Sequence, residues 1–405
     1  MSEKITWAPH IPLIGGFPLG AEKAIGHAPE EIFSLPGFLG NDKHYINYQN
    51  NILKRDLAYT PLDPEDMAFD RKINIIVGTP PCAALSQLNT GKSAESKGAG
   101  CQKNAFMYIV FEHGMRKYNA DVIIVENAPA LFTTKGEGVA EKLYDLCKAN
   151  GYSMTLYKTT TSLHGIPQNR DRTFAFAWKS ETAPILNWYD KPRRTFAEHL
   201  SEVNPESDMG NVVINEKLLQ CGYYQYITDV LKEDPRKVLP EANQITTFNY
   251  LNKKGLIPAV VEWFREMGME KPLKLGEHAL KKFADNKGIW DGSVHVFNET
   301  MNAVIGRNMA DTVHPTESRS LTYREAMHMM GLPHDFVLVD GKKNGNHIAQ
   351  NVPTCTAADM VREAVKFING ELKESGHRFV KQNNHNKKTW SFDELNPAPS
   401  LNDLL

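Results

Sequence analysis

The sequence predicts an α/β protein with two domains, the larger of which is a doubly wound sheet. Two short runs of β-branched residues, 73–77 (INIIV) and 122–125 (VIIV), have the composition of buried parallel strands. Residues 105–117 lie between them and carry apolar side chains at helical spacing, which completes a strand–helix–strand unit. A chain of 405 residues is longer than one typical domain, so we expect a second one.

A change in composition marks the domain boundaries. Strand–helix alternation ends near position 180, and residues 181–313 mix lysines and aromatic residues without a clear period. Order returns at His314, and residues 357–369 carry the apolar stripe of an amphipathic helix. We therefore assign residues 1–180 and 314–370 to the sheet domain. Residues 181–313 form a smaller irregular domain, and the polar residues 371–405 are interpreted as a C-terminal tail.

Composition and charge exclude several classes of protein. Hydrophobic residues make up 41% of the chain and charged residues 23%, as in ordinary globular proteins. The formal net charge of −2 indicates no overall attraction to a polyanion, although a local basic face could still bind one. No apolar run approaches the ~18 residues of a membrane helix, and we find no signal peptide. The five cysteines include no C-x-x-C pair, so we expect reduced thiols in a cytoplasmic protein, without a zinc site or disulfides.

Two candidate catalytic residues, Cys82 and Glu126, follow the two predicted strands directly. Pro80 and Pro81 precede the cysteine, and two prolines with φ fixed at about −65° would hold its thiol on a rigid turn. Ligands of open α/β sheets bind beyond the carboxyl ends of the strands, so we expect Cys82 and Glu126 to lie side by side there. Taken singly, such a cysteine is more often a small core residue, and such a glutamate is usually a surface group.

Three further polar residues, Gln168, Arg170 and Arg172, alternate along a segment that we interpret as extended. Alternation places all three side chains on one side of a strand. A row of this kind suits hydrogen bonding to the edge of a planar base and to a phosphate. On its own such a row would be interpreted as a solvated strand face. It indicates a functional site only because it follows Cys82 and Glu126 in this order.

These segments, in this order, resemble the motifs of the DNA (cytosine-5) methyltransferases. The nucleophile motif of that family is similar to GTPPCAALS here, which places Cys82 at the nucleophile and Ser86 at the motif's serine. Its Glu-Asn-Val motif is similar to VENAPAL, with Ala128 in place of valine, and its Gln-x-Arg-x-Arg strand to GIPQNRDRTFAFAW. The segment that follows its recognition region is similar to HPTESRSLTYREAMHMMGLPHDF. The resemblance covers about residues 1–370.

The resemblance implies a Rossmann-like methyltransferase sheet and transfer of a one-carbon group to carbon 5 of a flipped-out cytosine. Cys82 would add covalently to the base, Glu126 would protonate ring nitrogen N3, and Arg170 and Arg172 would support the activated ring. Further base contacts would come from Pro81, Ser86, Asn127 and Gln168. Residues 181–313 fall where the family keeps its target-recognition domain. We expect a monomer that acts on double-stranded DNA in the cytoplasm of a bacterial or phage-infected cell.

The cofactor motifs depart from the family more than the base motifs do. The family's Phe-x-Gly-x-Gly-Gly turn, which binds S-adenosylmethionine, has Ile11 in place of its aromatic residue and Leu13 in place of its first glycine. The family's Gln-x-Gly-Asn-x-Val-Pro segment appears as HIAQNVP at residues 347–353. Asp42 is the best candidate for the ribose, and Asp56 and Asp66 compete for the adenine. The remaining predicted cofactor contacts are Gly15, Gly16, Phe17, Pro80 and Asn351.

Three explanations of these departures stay open. The first is drift, with S-adenosylmethionine held by substitute residues. The second is a different donor, methylene-tetrahydrofolate, which would give 5-hydroxymethylcytosine or 5-methylcytosine. The third is a catalytically silent DNA-binding relative. RNA is an alternative to DNA as the substrate, because one branch of the family modifies transfer RNA.

Overall fold

The computed structural model describes residues 4–35, 39–81, 85, 101–203, 222–239, 241–242, 244–285, 296–297, 299–304, 312, 314–317, 321–339 and 344–393. They fall into two compact units. The first, here called the sheet unit, comprises the described residues within Met1–Arg193, Met330–Gly341 and Gln350–Leu405. The second, the helical unit, comprises those within Arg194–Met329 and Lys342–Ala349. The boundaries therefore differ from those predicted, because the sheet unit continues to Arg193 and residues 314–329 belong to the helical unit.

The described strands are short, as is usual for an α/β protein. In chain order they are β1 Trp7–His10, β2 Ile32–Ser34, β3 Tyr59–Pro61, β4 Ile75–Gly78, β5 Val122–Asn127, β6 Ser153–Thr160, β7 Gln168–Asn169, β8 Asp171–Trp178, β9 Pro184–Ile185, β10 Glu241–Ala242, β11 Val296–Phe297, β12 Met301–Asn302, β13 Lys373–Glu374, β14 Phe379–Asn383 and β15 Lys388–Phe392.

The described helices are distributed over both units. In chain order they are α1 Gly16–Ile25, α2 Leu39–Asn51, α3 Ala105–Glu112, α4 Glu137–Ala149, α5 Phe196–Leu200, α6 Gly222–Asp229, α7 Pro235–Val238, α8 Gln244–Lys253, α9 Ile257–Glu266, α10 Glu270–Ala284, α11 Tyr323–His328, α12 Asn344–Gln350 and α13 Thr354–Ile368. Among them, none combines the length and the hydropathy that a membrane span requires.

The sheet unit is built on a nine-stranded mixed sheet with the order β15-β14-β6-β8-β5-β4-β1-β2-β3. Strands β3, β2, β1, β4 and β5 are parallel, and β8 lies antiparallel between β5 and β6. The chain proceeds from β1 through β2 to β3 on one side and then places β4 on the other side of β1. This reversal creates a topological switch beside β1, where the loops diverge and leave a crevice for a ligand. The predicted doubly wound α/β fold is confirmed.

Both faces of the central strands are covered, which explains their unbroken apolar sequence. In β4, Ile76 faces one core, and Ile75 and Val77 face the other. In β5, Ile123 joins the first core and Ile124 the second. A strand that is buried on both sides needs an apolar residue at every position, and this is why 73–77 and 122–125 could be identified as parallel strands.

The C-terminal segment belongs to the sheet, so its interpretation as a tail is wrong for residues 373–393. Strand β14 pairs parallel to β6, and β15 pairs antiparallel to β14. The buried carboxamide of Gln382 accepts from the Leu186 amide at 2.8 Å and donates to the Leu186 carbonyl at 3.0 Å. Asn384 bonds the main chain of Tyr189 in the same way, at 2.9 and 3.1 Å. Two of the segment's polar residues, Gln382 and Asn384, are thus buried and hydrogen-bonded.

The helical unit contains a core of its own, which corrects the prediction of an irregular domain for residues 222–285. Helix α9 buries Ile257, Val260, Val261 and Phe264, the i, i+3, i+4, i+7 spacing of one helix face. Side chains from α6, α8 and α10 complete this apolar cluster. The described part of this segment is therefore mainly helical.

Candidate active site

The crevice at the switch point is bordered by the ends of β1, β4 and β5. Strand β4 ends at Gly78, and the chain then continues through the buried Pro80 to the partly buried Pro81. Cys82 and Ser86 lie outside the described residues, so their positions stay predictions. Strand β5 runs on through Glu126 and Asn127, which places the Glu126 carboxyl at the carboxyl edge of the sheet, as expected.

Glu126 forms the centre of a buried cluster of charged residues. Its side chain is almost fully buried, and its Oε1 forms an ion pair with Arg172 Nε. Arg172 also donates from Nη1 to the Asp171 carbonyl at 2.7 Å, which fixes the guanidinium. The pairing follows from register: Glu126 is opposite Phe174 in antiparallel β8, so Arg172 enters that strand beside the end of β5. The structure thus brings together the carboxyl and the arginine that the sequence placed on neighbouring strand ends.

Burial and the two arginines act on the Glu126 carboxyl in opposite directions. Burial raises its pKa because a charge is poorly solvated there, while Arg172 and Arg170 lower it by attraction. The effect of burial is the larger one, and the pKa is raised above the usual range of a glutamate. Glu126 therefore keeps its proton to higher pH than an exposed glutamate would, which is the property that a proton donor needs.

Arg170 connects this cluster to the loop after β1. It is 1% exposed, and its Nη2 donates to the Asn351 carbonyl at 3.0 Å. Asn351 Oδ1 in turn accepts from the Gly16 amide, the first of helix α1, at 2.7 Å. The predicted base-side residue Arg170 and the predicted cofactor-side residues Asn351 and Gly16 therefore form one hydrogen-bonded chain.

Gln168 and Asn127, both predicted to contact the base, are fully buried and bonded within the protein. Gln168 Nε2 lies 3.7 Å from Met330 Sδ. Asn127 Oδ1 accepts from the Ala128 amide at 2.8 Å, so the carboxamide stabilises the turn after β5. Through these contacts both residues support the main chain and side chains around the site. A direct contact of either residue with the base stays a prediction.

The loop between β1 and α1 keeps a glycine-like main-chain path without all of its glycines. Ile11, Leu13 and Gly15 have φ values of 54°, 53° and 112°, in the left-handed region. Leu13 thus adopts a main-chain conformation that favours glycine, at a cost of about 1–2 kcal/mol for a residue with a Cβ. Both Ile11 and Leu13 are buried, and the apolar surface they remove from water offsets that cost.

The glycines of this loop are needed because other groups approach them closely. A Cβ on Gly15 would lie 2.7 Å from the ring of Tyr45. A Cβ on Gly16 would lie 2.0 Å from the Val352 carbonyl oxygen. Phe17, by contrast, packs edge-on against Phe174 in the core with ring centroids 5.9 Å apart. Its predicted cofactor contact is not supported by this placement.

Gly16→Ala is expected to lower the free energy of unfolding by about 2 kcal/mol, since a methyl group there overlaps a main-chain oxygen that cannot move freely. Thermal or denaturant unfolding of the purified chain measures this. Gly26→Ala is the matched control, because Gly26 has open space around it and only a left-handed φ of 93°, worth about 1 kcal/mol. Wild-type stability in Gly16→Ala would contradict the close approach of α1 to residues 351–352.

The acidic residues proposed for the ribose and adenine are scattered. Asp42 lies on α2, after β2. Asp56 is exposed and precedes β3, so it lies at the amino end of that strand and away from the crevice. Asp66 follows β3 but is exposed and pairs with Lys117. The Asp42 side chain lies outside what the structure describes, so its ribose contact stays a prediction. Neither Asp56 nor Asp66 is brought to the β1–α1 loop by a described contact.

Ser34 is a candidate that the sequence analysis missed. It ends β2, beside the loop after β1, since the Ile11 amide donates to the Phe33 carbonyl at 3.1 Å. Its hydroxyl is buried and has no hydrogen-bond partner among the described residues, and the same is true of Asn351 Nδ2. Two unsatisfied polar atoms near one loop are the kind of groups that a bound ligand would satisfy. The signal in the sequence was the position of Ser34 at a strand end.

A second arrangement has the geometry of a nucleophile triad but is structural. His164 lies 2.8 Å from Thr159 Oγ1 through Nε2 and 2.8 Å from Asp359 Oδ2 through Nδ1. All three residues are buried, and Asn384 Nδ2 donates to the same threonine oxygen at 3.1 Å. No substrate could reach this hydroxyl, and the contacts tie α13 and β14 to the sheet.

Comparison with known proteins identifies the family. The family model described as C-5 cytosine-specific DNA methylase matches residues 13–365. The type II methyltransferase M.Bpa9945I of Bacillus paralicheniformis is 22% identical over 326 residues, which are 74% of this chain and 71% of that protein. The solved structure of the Entamoeba histolytica methyltransferase EhMeth has a TM-score of 0.53 at 12% identity and covers 91% of this chain and 99% of its own. A Spodoptera frugiperda DNMT2 mutant has a TM-score of 0.50 at 15% identity and covers 89% and 99%.

At these identities the two solved structures support the fold alone. The family model, however, spans most of the 405 residues, including the segments that carry Glu126, Arg170 and Arg172. The resemblance found in the sequence is thereby confirmed. This chain is an enzyme that belongs to the C-5 cytosine-specific DNA methylase family.

Proposed function

We propose that this enzyme methylates carbon 5 of cytosine in double-stranded DNA with S-adenosylmethionine as the methyl donor. The observation that carries the proposal is the buried ion pair between Glu126 and Arg172 at the carboxyl edge of the sheet. Arg170, close to this pair in the chain, donates a hydrogen bond to the Asn351 carbonyl beside the loop after β1. A carboxyl with a raised pKa beside fixed cations suits a reaction that places negative charge on a ring.

The proposed roles divide the reaction among a few side chains. The Cys82 thiolate forms a bond to carbon 6 of the base, and electron density moves to carbon 5, while Glu126 donates its proton to ring nitrogen N3. Arg172 holds the Glu126 carboxyl in place and stabilises its charge after the proton has left. Once carbon 5 carries the methyl group, a water molecule takes up the carbon-5 proton, the Cys82 thiolate departs, and N3 returns its proton to Glu126, which restores the aromatic ring and the enzyme. The role of Cys82 rests on the motif resemblance.

The residues of the β1–α1 loop fit the proposed cofactor. When bound, S-adenosylmethionine supplies an electrophilic methyl group. The left-handed main-chain path at Leu13 and Gly15 retains the turn that the family uses for it. Asn351 Nδ2 and Ser34 Oγ offer two unsatisfied polar groups beside that turn, and the main chain of Gly15 and Gly16 would line it. Pro80 and Asp42 stay proposed contacts on the strength of the motif positions alone.

We propose that the helical unit selects the DNA sequence. One face of α10 carries exposed Lys271, Lys274 and Lys281, spaced three and seven residues apart. Lysines in such a row suit contacts to successive phosphates, which position a protein on DNA without reading bases. This placement supports the predicted recognition role of the unit.

Donor and product are tested together in one experiment. The purified chain is incubated with duplex DNA and either S-adenosylmethionine or methylene-tetrahydrofolate, and the digested nucleosides are analysed by mass spectrometry. We expect 5-methylcytosine with the first donor only. A folate-dependent product, such as 5-hydroxymethylcytosine, would instead establish the alternative donor, and no product with either would support a silent DNA-binding relative. Transfer RNA in a parallel reaction distinguishes the two nucleic acids.

A further inference from the structure

The helical unit contains a cluster of metal-ligand side chains that the proposed methylation does not use. His199, Glu202 and His328 each offer one ligand atom, and these three atoms lie within 4.8 Å of one another. The two imidazole rings are stacked, with centroids 4.2 Å apart and planes inclined by 27°. Two histidine nitrogens and one carboxylate oxygen form a donor set that zinc commonly has in proteins.

Local structure holds these side chains in place. Helix α5 carries His199, and the turn continues so that the Glu202 amide donates to the His199 carbonyl at 3.4 Å. Residues three apart lie on one helix face, which brings Glu202 beside His199. His328 ends α11. A capping box begins each helix, Thr195 with Glu198 in α5 and Thr322 with Glu325 in α11.

The three side chains of the cluster differ in the hydrogen bonds they already make. His199 Nε2 is buried and has no hydrogen-bond partner among the described residues. His328 Nε2 lies 3.1 Å from the His199 carbonyl oxygen, to which it can only donate, and 3.5 Å from Glu202 Oε2, so coordination through this nitrogen would replace that hydrogen bond. The other Glu202 oxygen pairs with Arg194, and that pair is exposed and therefore weak.

We propose that His199, Glu202 and His328 bind one divalent first-row transition-metal ion, for which zinc is the best match. Two imidazoles favour zinc, nickel or copper over calcium and magnesium, which prefer oxygen ligands alone. Tetrahedral zinc at about 2.0–2.2 Å from each ligand needs donor atoms roughly 3.3 Å apart, which small side-chain rotations would achieve. The exposed side of Glu202 leaves a fourth position for water.

Such an ion would join the two ends of the segment that forms the helical unit. His199 and His328 are 129 residues apart in the chain. An ion bound only in the folded state stabilises that state by its binding free energy. The proposed role is therefore structural, and it is independent of the methyl donor and of Cys82.

The test uses the full chain after removal of metal with a chelator. Zinc is titrated by calorimetry, the ion retained after gel filtration is counted by mass spectrometry, and thermal unfolding is recorded with and without zinc. We expect one zinc ion per chain and a rise in Tm on zinc addition. His199→Gln and His328→Gln should lose both effects, while His278→Gln, on the exposed face of α10, should keep them. Glu202→Gln removes an exposed ligand without opening the core and should weaken binding at least tenfold.

Cobalt(II) substitution provides a readout that needs no variant. Cobalt bound by nitrogen and oxygen should give visible d–d bands without the near-ultraviolet thiolate band that cysteine ligands produce. Failure of the wild-type chain to retain zinc would overturn the proposal. Unchanged stoichiometry in both histidine variants, or a thiolate band, would also overturn it, because the ion would then lie elsewhere in the chain.

Discussion

Replacing Cys82 with serine is expected to abolish both methyl transfer and covalent capture of DNA. A serine hydroxyl is a far weaker nucleophile at neutral pH than a thiolate, and nothing in the proposed chemistry proceeds before carbon 6 is attacked. The measurement is a denaturing gel of the enzyme incubated with donor and a duplex that carries 5-fluorocytosine. Fluorine at carbon 5 cannot leave as a proton does, so wild type should remain covalently attached.

The other cysteines provide matched controls for this experiment. Cys101 is buried at the start of the segment before α3, and Cys147 is fully buried on α4 with its thiol pKa raised by burial. Neither has the reactive character of an exposed thiolate, so Cys101→Ser and Cys147→Ser should capture DNA as wild type does. Capture by Cys82→Ser, or its loss in Cys101→Ser alone, would move the nucleophile away from Cys82.

The central sheet and the Glu126 cluster could be predicted from sequence because their signals are local. Apolar runs bounded by turns identified β4 and β5, and the rule that ligands lie at carboxyl ends placed Glu126 in the crevice. The alternation of Gln168, Arg170 and Arg172 then predicted that the two arginine side chains lie on the same side of an extended segment. The pairing of Arg172 with Glu126 required only that β8 lie next to β5, which it does.

The C-terminal strands could not be predicted because their polar residues are satisfied by distant partners. Gln382 and Asn384 are buried in β14 or directly after it, yet both are residue types found mostly on surfaces. Their partners, Leu186 and Tyr189, lie almost 200 residues earlier in the chain. No local pattern encodes such contacts, and burial of carboxamides is inexpensive once every donor and acceptor is paired.

The helices of the second unit were missed for a different reason. The spacing of Ile257, Val260, Val261 and Phe264 in α9 is readable in the sequence, but the helices around it are short and are separated by glycine and charged residues. The proximity of His199 to His328 was beyond prediction, because only the folded chain brings two residues 129 positions apart into contact.

The β1–α1 loop shows that a motif can lose its residues and keep its geometry. Leucine at position 13 suggested a disturbed cofactor turn, since glycine is favoured where φ is positive. The structure keeps the positive φ at Leu13 and buries the side chain, so packing offsets the main-chain strain. The altered motif is therefore compatible with the same donor, which is why S-adenosylmethionine is the proposed cofactor.

Glu126→Gln is expected to lower kcat by about 100-fold or more, because glutamine cannot give a proton to N3 of the base. The side chain keeps its size, and Arg172 can still contact the amide oxygen, so KM for DNA should change much less than kcat. Steady-state methylation assays measure both constants. Glu141→Gln is the matched control, since Glu141 is exposed on α4 and should retain wild-type rates.

The pH dependence separates a proton donor from a residue that merely shapes the site. Burial raises the pKa of Glu126, so the wild-type rate should fall as pH rises through that raised value, and Glu126→Gln should lack this alkaline decline. The folded state also holds the proton more tightly than the unfolded chain does. The free energy of unfolding of wild type should therefore lose a contribution as pH rises from the ordinary glutamate range through the raised pKa, and the variant should not. A near-normal kcat in Glu126→Gln, or the same alkaline decline in both proteins, would remove Glu126 from its proposed role.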